Sequence, residues 1–229
     1  MHYVSRLYDF LRRLAANNDR AWFQANRAEY DELRALWAED IDRIIRRMTL
    51  WEPAMATQTA RTAAYRINRD IRFSPDKSPY KTFFSAAFSP FGRKSERAGY
   101  YLEMSPFAER HPGVYGGLWC VDRPVLNKLR HAIIDNIEEW EQIVNSPQML
   151  LTYPGWCSDM LKTAPKGWPR GHAQEFYLRM TNYGKFHPCD ERFFLDPSWP
   201  DRVADMFLIL KPLCDFLNYS IDEESPRLQ

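Results

Sequence analysis

The spacing of apolar residues predicts helices over the first 50 residues of the chain. Apolar side chains recur there every three or four positions, which is typical of amphipathic helices. The residues that mark a short first helix are Leu7, Phe10, Leu11 and Leu14. Asn17–Asp19 then interrupts the pattern, and Asp19 suits the N-cap of the next helix. We predict that this second helix runs from Trp22 to Met48.

Between residues 61 and 121 the pattern changes to strict alternation, which is the period of a β-strand. The predicted strands are Thr62–Asn68, Phe84–Phe88, Tyr100–Met104 and Val114–Val121. Turn-rich segments separate them, including Ser74–Pro79 and Ser89–Gly92. Because no helical pattern intervenes, the sequence predicts an antiparallel meander.

Helical spacing returns after the meander. Asp122 suits an N-cap, with Pro124 in the first turn. Phe176–Met180 alternates and could form a fifth strand. A last helix follows Ser198, and Pro212 within it predicts a kink or a break.

These elements together predict one α+β domain over residues 1–229, with a mostly antiparallel sheet of about four to five strands covered by helices. The N-terminal helices occupy 1–50, the meander 61–121, and helices with wrapping segments 122–218; residues 219–229 form a frayed tail. We find neither an internal repeat nor a linker that would divide the chain.

The composition is that of an ordinary globular protein and excludes several classes. The chain is 45% hydrophobic and 27% charged, with a net charge of +1, so it lacks the strongly basic character of a general nucleic-acid coat protein. It contains no long apolar run and no signal-peptide pattern, so we expect no membrane contact. Four cysteines without a CxxC pair predict free thiols and a cytoplasmic location.

The most distinctive segment is Tyr65–Thr82, which concentrates positive charge in a nearly neutral chain. Six basic and two acidic residues lie between Arg61 and Lys81. Guanidinium groups bind phosphate or carboxylate oxygens through paired hydrogen bonds. We therefore consider an anion-binding site, whose candidate ligand-binding residues are Tyr65, Arg66, Arg69, Arg72, Lys77, Tyr80 and Lys81.

Two other interpretations of this segment remain open. It could belong to a non-catalytic module that recognises nucleic acid or an acidic protein, together with the charged tip Arg93–Arg97; nucleic acid is possible but not favoured. Alternatively, Asp70 and Asp76 could pair with the arginines, so that the segment is purely structural. Whether the protein is an enzyme is also open; Asp70 is a weak candidate for a catalytic base.

Other groups give weaker signals. The five histidines show no HExxH spacing, and Glu103 with Asp70 and Asp76 makes a poor nuclease-type carboxylate cluster without a nearby lysine. We predict no metal and no cofactor. Gly116-Gly117 indicates a bulge or a close backbone approach in a strand, and could also let a ligand approach backbone amides.

Several long segments resemble a family of uncharacterised, mainly bacterial proteins, the domain-of-unknown-function family 2461. These segments are FLRRLAANNDRAWFQANRAEYDE, YRINRDIRFSPDKSPYKTFFSAAFSP, AGYYLEMSP and GVYGGLW, followed by LKTAPKGWP and LKPLCDFLN. The resemblance is good over residues 5–135 and weaker between Gly171 and Asp196. It implies a single-domain intracellular protein, and it implies neither an activity nor a catalytic residue.

Overall fold

A computed structural model describes residues 3–119 and 122–223. The helices are α1 (Tyr3–Ala16), α2 (Arg20–Ala25), α3 (Arg27–Met48), α4 (Ala60–Ala63), α5 (Arg123–Asp135), α6 (Ile137–Val144), α7 (Pro147–Thr152), α8 (Glu175–Arg179), α9 (Glu191–Leu195) and α10 (Trp199–Asp222). The strands are β1 (Phe84–Phe88), β2 (Gly99–Met104), β3 (Gly113–Leu118) and β4 (Tyr183–Pro188). Cys120, Val121 and the end of the predicted tail, 224–229, lie outside the described residues.

The N-terminal helices confirm the apolar pattern, with one correction. Helix α1 buries the four residues that predicted it. The second helix is in fact two helices, because Asn26 ends α2 and its side chain donates to the Trp22 carbonyl at 2.8 Å. Asp19 caps α2 as predicted by accepting the Trp22 amide at 2.9 Å.

The sheet has four antiparallel strands in the order β1-β2-β3-β4, which confirms the α+β class. The predicted first strand, Thr62–Asn68, is wrong. Thr59 and Thr62 form a capping box that starts the short helix α4, and beyond it only Ala64 and Asn68 pair, in isolated antiparallel bridges.

The region after Leu150 contains the other differences. The predicted strand Phe176–Met180 is wrong, since helix α8 covers most of it. The fourth strand is instead β4, which the sequence did not indicate. Pro212 does not break α10, which continues through it from Trp199 to Asp222. Its missing N–H removes the helical hydrogen bond to the Leu208 carbonyl.

Backbone contacts group the chain into two compact units. The first comprises residues 1–93, 101–114 and 188–205, and the second comprises 94–100, 115–187 and 206–229. Whether the chain is one folding domain stays a prediction. No helix in the described ranges is long and apolar enough to cross a membrane.

In the first unit, alternation along β1 and β2 separates two faces of the sheet. Even-numbered residues are buried, and Phe84 packs on α3: its ring lies 5.2 Å from Trp37 and 6.0 Å from Tyr30, measured between centroids. The Trp37 indole N–H donates to the Met104 sulfur at 3.1 Å. Because successive side chains of a strand point to opposite faces, odd-numbered residues face away from α3.

In the second unit, the glycine pair of β3 allows a close approach of backbones. Gly117 has a positive φ of 127°, and a Cβ there would lie 2.2 Å from the Tyr183 carbonyl oxygen. A Cβ on Gly116 would lie 2.5 Å from the Leu210 side chain. The close approach predicted for this pair is therefore confirmed, and packing alone accounts for both glycines.

Candidate anion-binding site

The odd-numbered face of β1 and β2, with the residues just before β1, carries polar and aromatic side chains. Phe83 immediately precedes β1 and Ser85 lies within it, and Tyr101 and Glu103 lie in β2. Backbone hydrogen bonds hold the basic segment beside them: the Tyr65 amide donates to Ser85 O at 2.9 Å, and the Lys81 amide donates to Ile67 O at 2.8 Å.

Glu103 is a buried carboxylate with two partners. The Tyr101 hydroxyl donates to it at 2.9 Å, and the Arg110 guanidinium donates to its two oxygens at 3.1 and 3.2 Å. Burial raises the pKa of Glu103, and the contacts with Tyr101 and Arg110 partly offset that rise. Burial also raises the pKa of Tyr101, so its hydroxyl remains a proton donor to Glu103.

Lys81 is half-buried in aromatic surroundings beside Glu103. Its Nζ lies 5.2 Å from the Tyr65 ring centroid and 5.6 Å from that of Phe83. Within the described chain, its ammonium makes no hydrogen bond and no ion pair. Burial lowers the pKa of Lys81, the nearby Arg66 lowers it further, and Glu103 partly offsets both.

Three arginines complete this group. Arg66 is exposed and makes no ion pair with any described residue. The Arg93 guanidinium donates to the backbone oxygen of Ala64 and lies 5.7 Å from the Tyr65 ring. The Arg110 guanidinium lies 4.0 Å above the Phe83 ring. We call the whole group the Lys81 cluster; it consists of Tyr65, Arg66, Lys81, Phe83, Arg93, Tyr101, Glu103 and Arg110.

Charge in the Lys81 cluster is strongly unbalanced. The group has four cations and one carboxylate, and that carboxylate pairs with Arg110. Lys81, Arg93 and Arg110 each lie near an aromatic ring of the group. The pKa of Lys81 responds to all three arginines. The cations of the cluster therefore repel one another, and the one carboxylate of the group compensates only part of their charge.

Arg69 and Arg72 lie differently, in a loop that we call the 69–78 loop. Arg69 pairs with Asp76 and donates to the Ser78 carbonyl at 3.2 Å. Arg72 donates to both oxygens of Asp70, at 2.9 and 2.7 Å. The carboxylates that the sequence placed among these arginines therefore neutralise them.

Lys77 and Tyr80 are also engaged locally. The Lys77 ammonium donates to the Ile71 carbonyl at 3.0 Å, inside the same loop. Tyr80 is buried, and its ring stacks on Phe23 with centroids 4.0 Å apart. The ligand-binding roles predicted for Arg69, Arg72, Lys77 and Tyr80 stay predictions, but the Lys81 cluster does not include these residues.

Asp70 has the chemistry of a paired carboxylate rather than that of a base. Hydrogen bonds from Arg72 lower the pKa of Asp70 to about 2. Hydrogen bonds from Ser78 and Arg69 lower the pKa of Asp76 to about 2 as well. A carboxylate with so low a pKa accepts protons poorly at neutral pH, which weakens the case for Asp70 as a catalytic base.

Sequence reasoning did not include Phe83, Tyr101 or Arg110 in any candidate site, and it considered Glu103 only with Asp70 and Asp76. Tyr101 and Glu103 alternate with the core residues Tyr100, Leu102 and Met104, and this alternation was the available signal. A glutamate and a tyrosine on the non-core face of a short strand indicate a polar surface. Arg110 gave no comparable signal, because it reaches Glu103 from the segment that follows β2.

The remaining candidate chemistry gives no second site. In the described chain, no group of three histidine, cysteine or acidic side chains could hold a metal ion. Cys157, Cys189 and Cys214 are free thiols. Burial raises the pKa of Cys189 and of Cys214 to about 12, which keeps both in the unreactive thiol form.

A lysine in the second unit shows how this fold satisfies a buried ammonium. Lys185 is 2% exposed, donates to the Tyr153 carbonyl at 3.3 Å and lies 4.0 Å above the Trp156 ring. Burial lowers the pKa of Lys185 to about 8. Lys81 has aromatic neighbours too, but no described residue gives it an oxygen partner such as the one Lys185 has.

Comparison with known proteins gives a family and no relative of known function. No curated protein matches the chain, and no solved structure matches it. A family model described as "conserved hypothetical protein (DUF2461)" matches residues 6–216. The match covers both compact units and agrees with the segments that suggested it. The chain therefore belongs to the DUF2461 family of conserved hypothetical proteins.

Proposed function

We propose that the protein binds an anionic ligand, bearing phosphate or carboxylate, at the Lys81 cluster. The observation that carries this proposal is the Lys81 ammonium, which is half-buried and has neither a hydrogen bond nor an ion pair among the described residues. Withdrawing a cation from water without an oxygen partner costs free energy. An anion beside Lys81 would supply that partner.

The neighbours of Lys81 define the chemistry of the ligand. Arg66 offers an unpaired guanidinium, whose geometry matches two oxygens of a phosphate or a carboxylate. Glu103 is already shared by Tyr101 and Arg110, so it is a poor partner for a cationic ligand. The cluster therefore favours a compact anion with several oxygens, and we assign no reaction to it.

The two other interpretations of the basic segment apply to different parts of it. The internal ion pairs of the 69–78 loop support a structural role for Arg69 and Arg72. An interaction module would need an exposed, unpaired basic surface, and among the cations of this segment Arg66 best fits that description.

Titration calorimetry at constant ionic strength tests the proposal. Wild-type protein is titrated with pyrophosphate and with citrate, which represent the two anion classes. We expect binding of at least one, with affinity at least tenfold weaker in Lys81→Met and in Arg66→Ala. The matched control is Lys162→Met, which removes an exposed lysine elsewhere in the chain.

Two results would contradict the proposal. One is that neither anion binds the wild-type protein. The other is that Lys81→Met and Lys162→Met bind equally well while circular dichroism shows both folded. Equal weakening by Arg72→Ala and Lys81→Met would instead extend the site to the 69–78 loop.

We also propose that this binding takes place in the cytoplasm. The three described cysteines, of which two are buried, form no disulfide. Free thiols are typical of a reducing compartment.

A further inference from the structure

Helix α3 places an unpaired guanidinium beside the Lys81 cluster. Arg34 is exposed and makes neither a hydrogen bond nor an ion pair with any described residue. Other arginines of this helix do have carboxylate partners. Arg27 pairs with Asp31 at 2.8 Å, and Arg47 pairs with Asp205 at 2.7 Å. Arg34 therefore keeps its guanidinium donors available for a ligand.

The position of Arg34 joins it to the Lys81 cluster. Arg34 lines a narrow crevice together with Tyr65 and Phe83, two members of the cluster. The Lys81 Nζ lies 5.2 Å from the centroid of the Tyr65 ring and 5.6 Å from that of the Phe83 ring. Arg34 and Lys81 therefore border the same pair of aromatic rings, and each lacks an oxygen partner among the described residues.

This pair of rings is held in place and closely packed. The Tyr65 hydroxyl donates to the Arg93 carbonyl at 3.1 Å, and the Arg110 guanidinium lies 4.0 Å from the centroid of the Phe83 ring. The crevice encloses about 10 Å³, which is room for about one water molecule. A ligand that reaches both Arg34 and Lys81 must therefore lie over the outside of the rings, where Tyr65 is 37% exposed.

We propose that the ligand carries two anionic groups joined by an apolar spacer: one group binds Lys81 and Arg66, the spacer covers the Tyr65 ring, and the other group binds Arg34. This inference rests on the proposed function, because it names the class of anion that the Lys81 cluster binds. A guanidinium can donate paired hydrogen bonds to a phosphate or a carboxylate, so Arg34 suits either anionic group. The spacer gains by removing apolar ring surface from water.

A ligand with one anionic group uses less of this arrangement. It would give Lys81 an oxygen partner and leave Arg34 without one. When two groups share one spacer, binding of the first at Lys81 raises the local concentration of the second at Arg34. This gain requires a spacer long enough to cross the Tyr65 ring, so affinity should depend on spacer length.

Titration calorimetry at constant ionic strength tests the inference with ligands of graded spacer length. The phosphonates are methylphosphonate, methylenebisphosphonate and hexamethylenebisphosphonate, and suberate represents the long dicarboxylates. The proteins are wild type, Arg34→Gln, Lys81→Met and the control Arg46→Gln. Arg46 is an exposed arginine of the same helix, about 18 Å further along α3. Pyrophosphate binding to each protein is measured in parallel.

We expect the wild-type protein to bind a long two-headed ligand, the bisphosphonate or suberate, about tenfold more tightly than methylphosphonate. Arg34→Gln should remove that gain and leave the binding of methylphosphonate and pyrophosphate unchanged. Lys81→Met should weaken the binding of every ligand, and Arg46→Gln should weaken none. Comparison of suberate with hexamethylenebisphosphonate identifies the anionic group that the site prefers.

Three results would overturn the inference. In the first, the wild-type protein binds neither long ligand more tightly than it binds the short methylenebisphosphonate. In the second, Arg34→Gln and Arg46→Gln bind the long ligands equally well. In the third, Arg34→Gln weakens the binding of methylphosphonate and of the long ligands by the same factor, so that Arg34 acts only through its charge. In each case pyrophosphate binding that depends on Lys81 would leave the proposed function standing, whereas loss of all anion binding in wild type would overturn both.

Discussion

The 69–78 loop and the Lys81 cluster both combine arginines and a lysine with carboxylates, but their cations have different partners. In the loop, Arg69 and Arg72 each have a carboxylate, and Lys77 has a carbonyl. In the Lys81 cluster, Glu103 is the one carboxylate beside four cations and pairs with Arg110, and the Lys81 ammonium has no oxygen partner in the described chain. A basic segment is therefore not one functional unit, since what matters is which cations remain unsatisfied after folding.

The physical origin of this difference is sequence separation. Asp70 and Asp76 are two and seven residues from the arginines that they neutralise, so loop closure brings them together at little entropic cost. The Lys81 cluster draws its members from the segment before β1, from the turn after β1, from β2 and from the segment after β2. Within the described chain, Glu103 is the one carboxylate that the sheet supplies to it.

The largest effect should follow from removing that carboxylate. Glu103→Gln leaves Arg110 and Lys81 without a compensating charge and forces an amide nitrogen against Arg110 or the Tyr101 hydroxyl. We expect the free energy of unfolding to fall by about 3 kcal/mol, measured by urea denaturation. The control is Glu109→Gln, an exposed neighbour on the same segment.

Anions should restore part of that loss. In Glu103→Gln, pyrophosphate would replace the missing negative charge, so it should stabilise the variant more than wild type. A variant as stable as wild type, or one that pyrophosphate stabilises no more than wild type, would show that Glu103 does not hold the cluster together.

Two matched substitutions, Lys81→Met and Arg69→Met, should change the free energy of unfolding in opposite directions. Lys81→Met removes an unpartnered cation and keeps the aliphatic stem on its aromatic neighbours, so the free energy of unfolding should rise by about 0.5–1 kcal/mol. Arg69→Met removes the hydrogen bonds to Asp76 and to the Ser78 carbonyl, so the free energy should fall by about 1 kcal/mol.

Thermal and urea unfolding of both variants check this pair. If both substitutions destabilise the protein equally, Lys81 has a structural partner and the contrast between the loop and the cluster is lost. If Arg69→Met is neutral, the ion pairs of the loop do not determine its shape.

Much of the fold was predictable from local patterns, and the reasons for the failures are also local. The spacing of apolar residues predicted α1 and the α2–α3 region, because a helix that buries one face repeats its apolar residues every three or four positions. The first strand was predicted wrongly because the capping box of Thr59 and Thr62 competes with the alternation that follows it. β4 was missed because Tyr183–Pro188 lies in a segment with little alternation and pairs with a distant strand.

The site was predictable only in part. Arg66 and Lys81 come from the basic segment that the sequence singled out, and Tyr65 contacts Lys81 as an aromatic neighbour. Glu103 and Arg110 could not be joined to them from sequence, because a pairing between β1 and β2 sets their distance. Alternation identifies the face of a strand, but it does not say which loop covers that face.

The pH dependence of stability and of sulfate binding in the wild-type protein tests the role of Lys81. We expect these effects to be smaller than those of the substitutions above. Because the folded pKa of Lys81 is lower than its usual value of 10.5, the unfolded chain binds more protons between the two values. The contribution of Lys81 to stability therefore rises with pH in that window. Sulfate affinity should fall over the same window, because the ammonium loses its proton.

Titration calorimetry with sulfate from about pH 7 to about pH 10 measures this fall, since the charge of sulfate is constant over that range. Lys81→Arg should bind sulfate with an affinity that stays flat to higher pH, because a guanidinium keeps its proton. An identical decline in Lys81→Arg would assign the titration to another group.

The smallest effect should come from Arg72, the most exposed arginine of the ion pairs in the loop, with 75% of its side chain in water. Solvent screens its pair with Asp70, so Arg72→Ala should leave the unfolding midpoint unchanged within error. Its charge is already neutralised locally, so pyrophosphate affinity should fall less than twofold, against at least tenfold for Lys81→Met. Calorimetry on both variants in one buffer gives the ratio directly. A ratio near one would mean that the loop, with all its internal pairs, contributes to anion binding as strongly as the cations left without a partner.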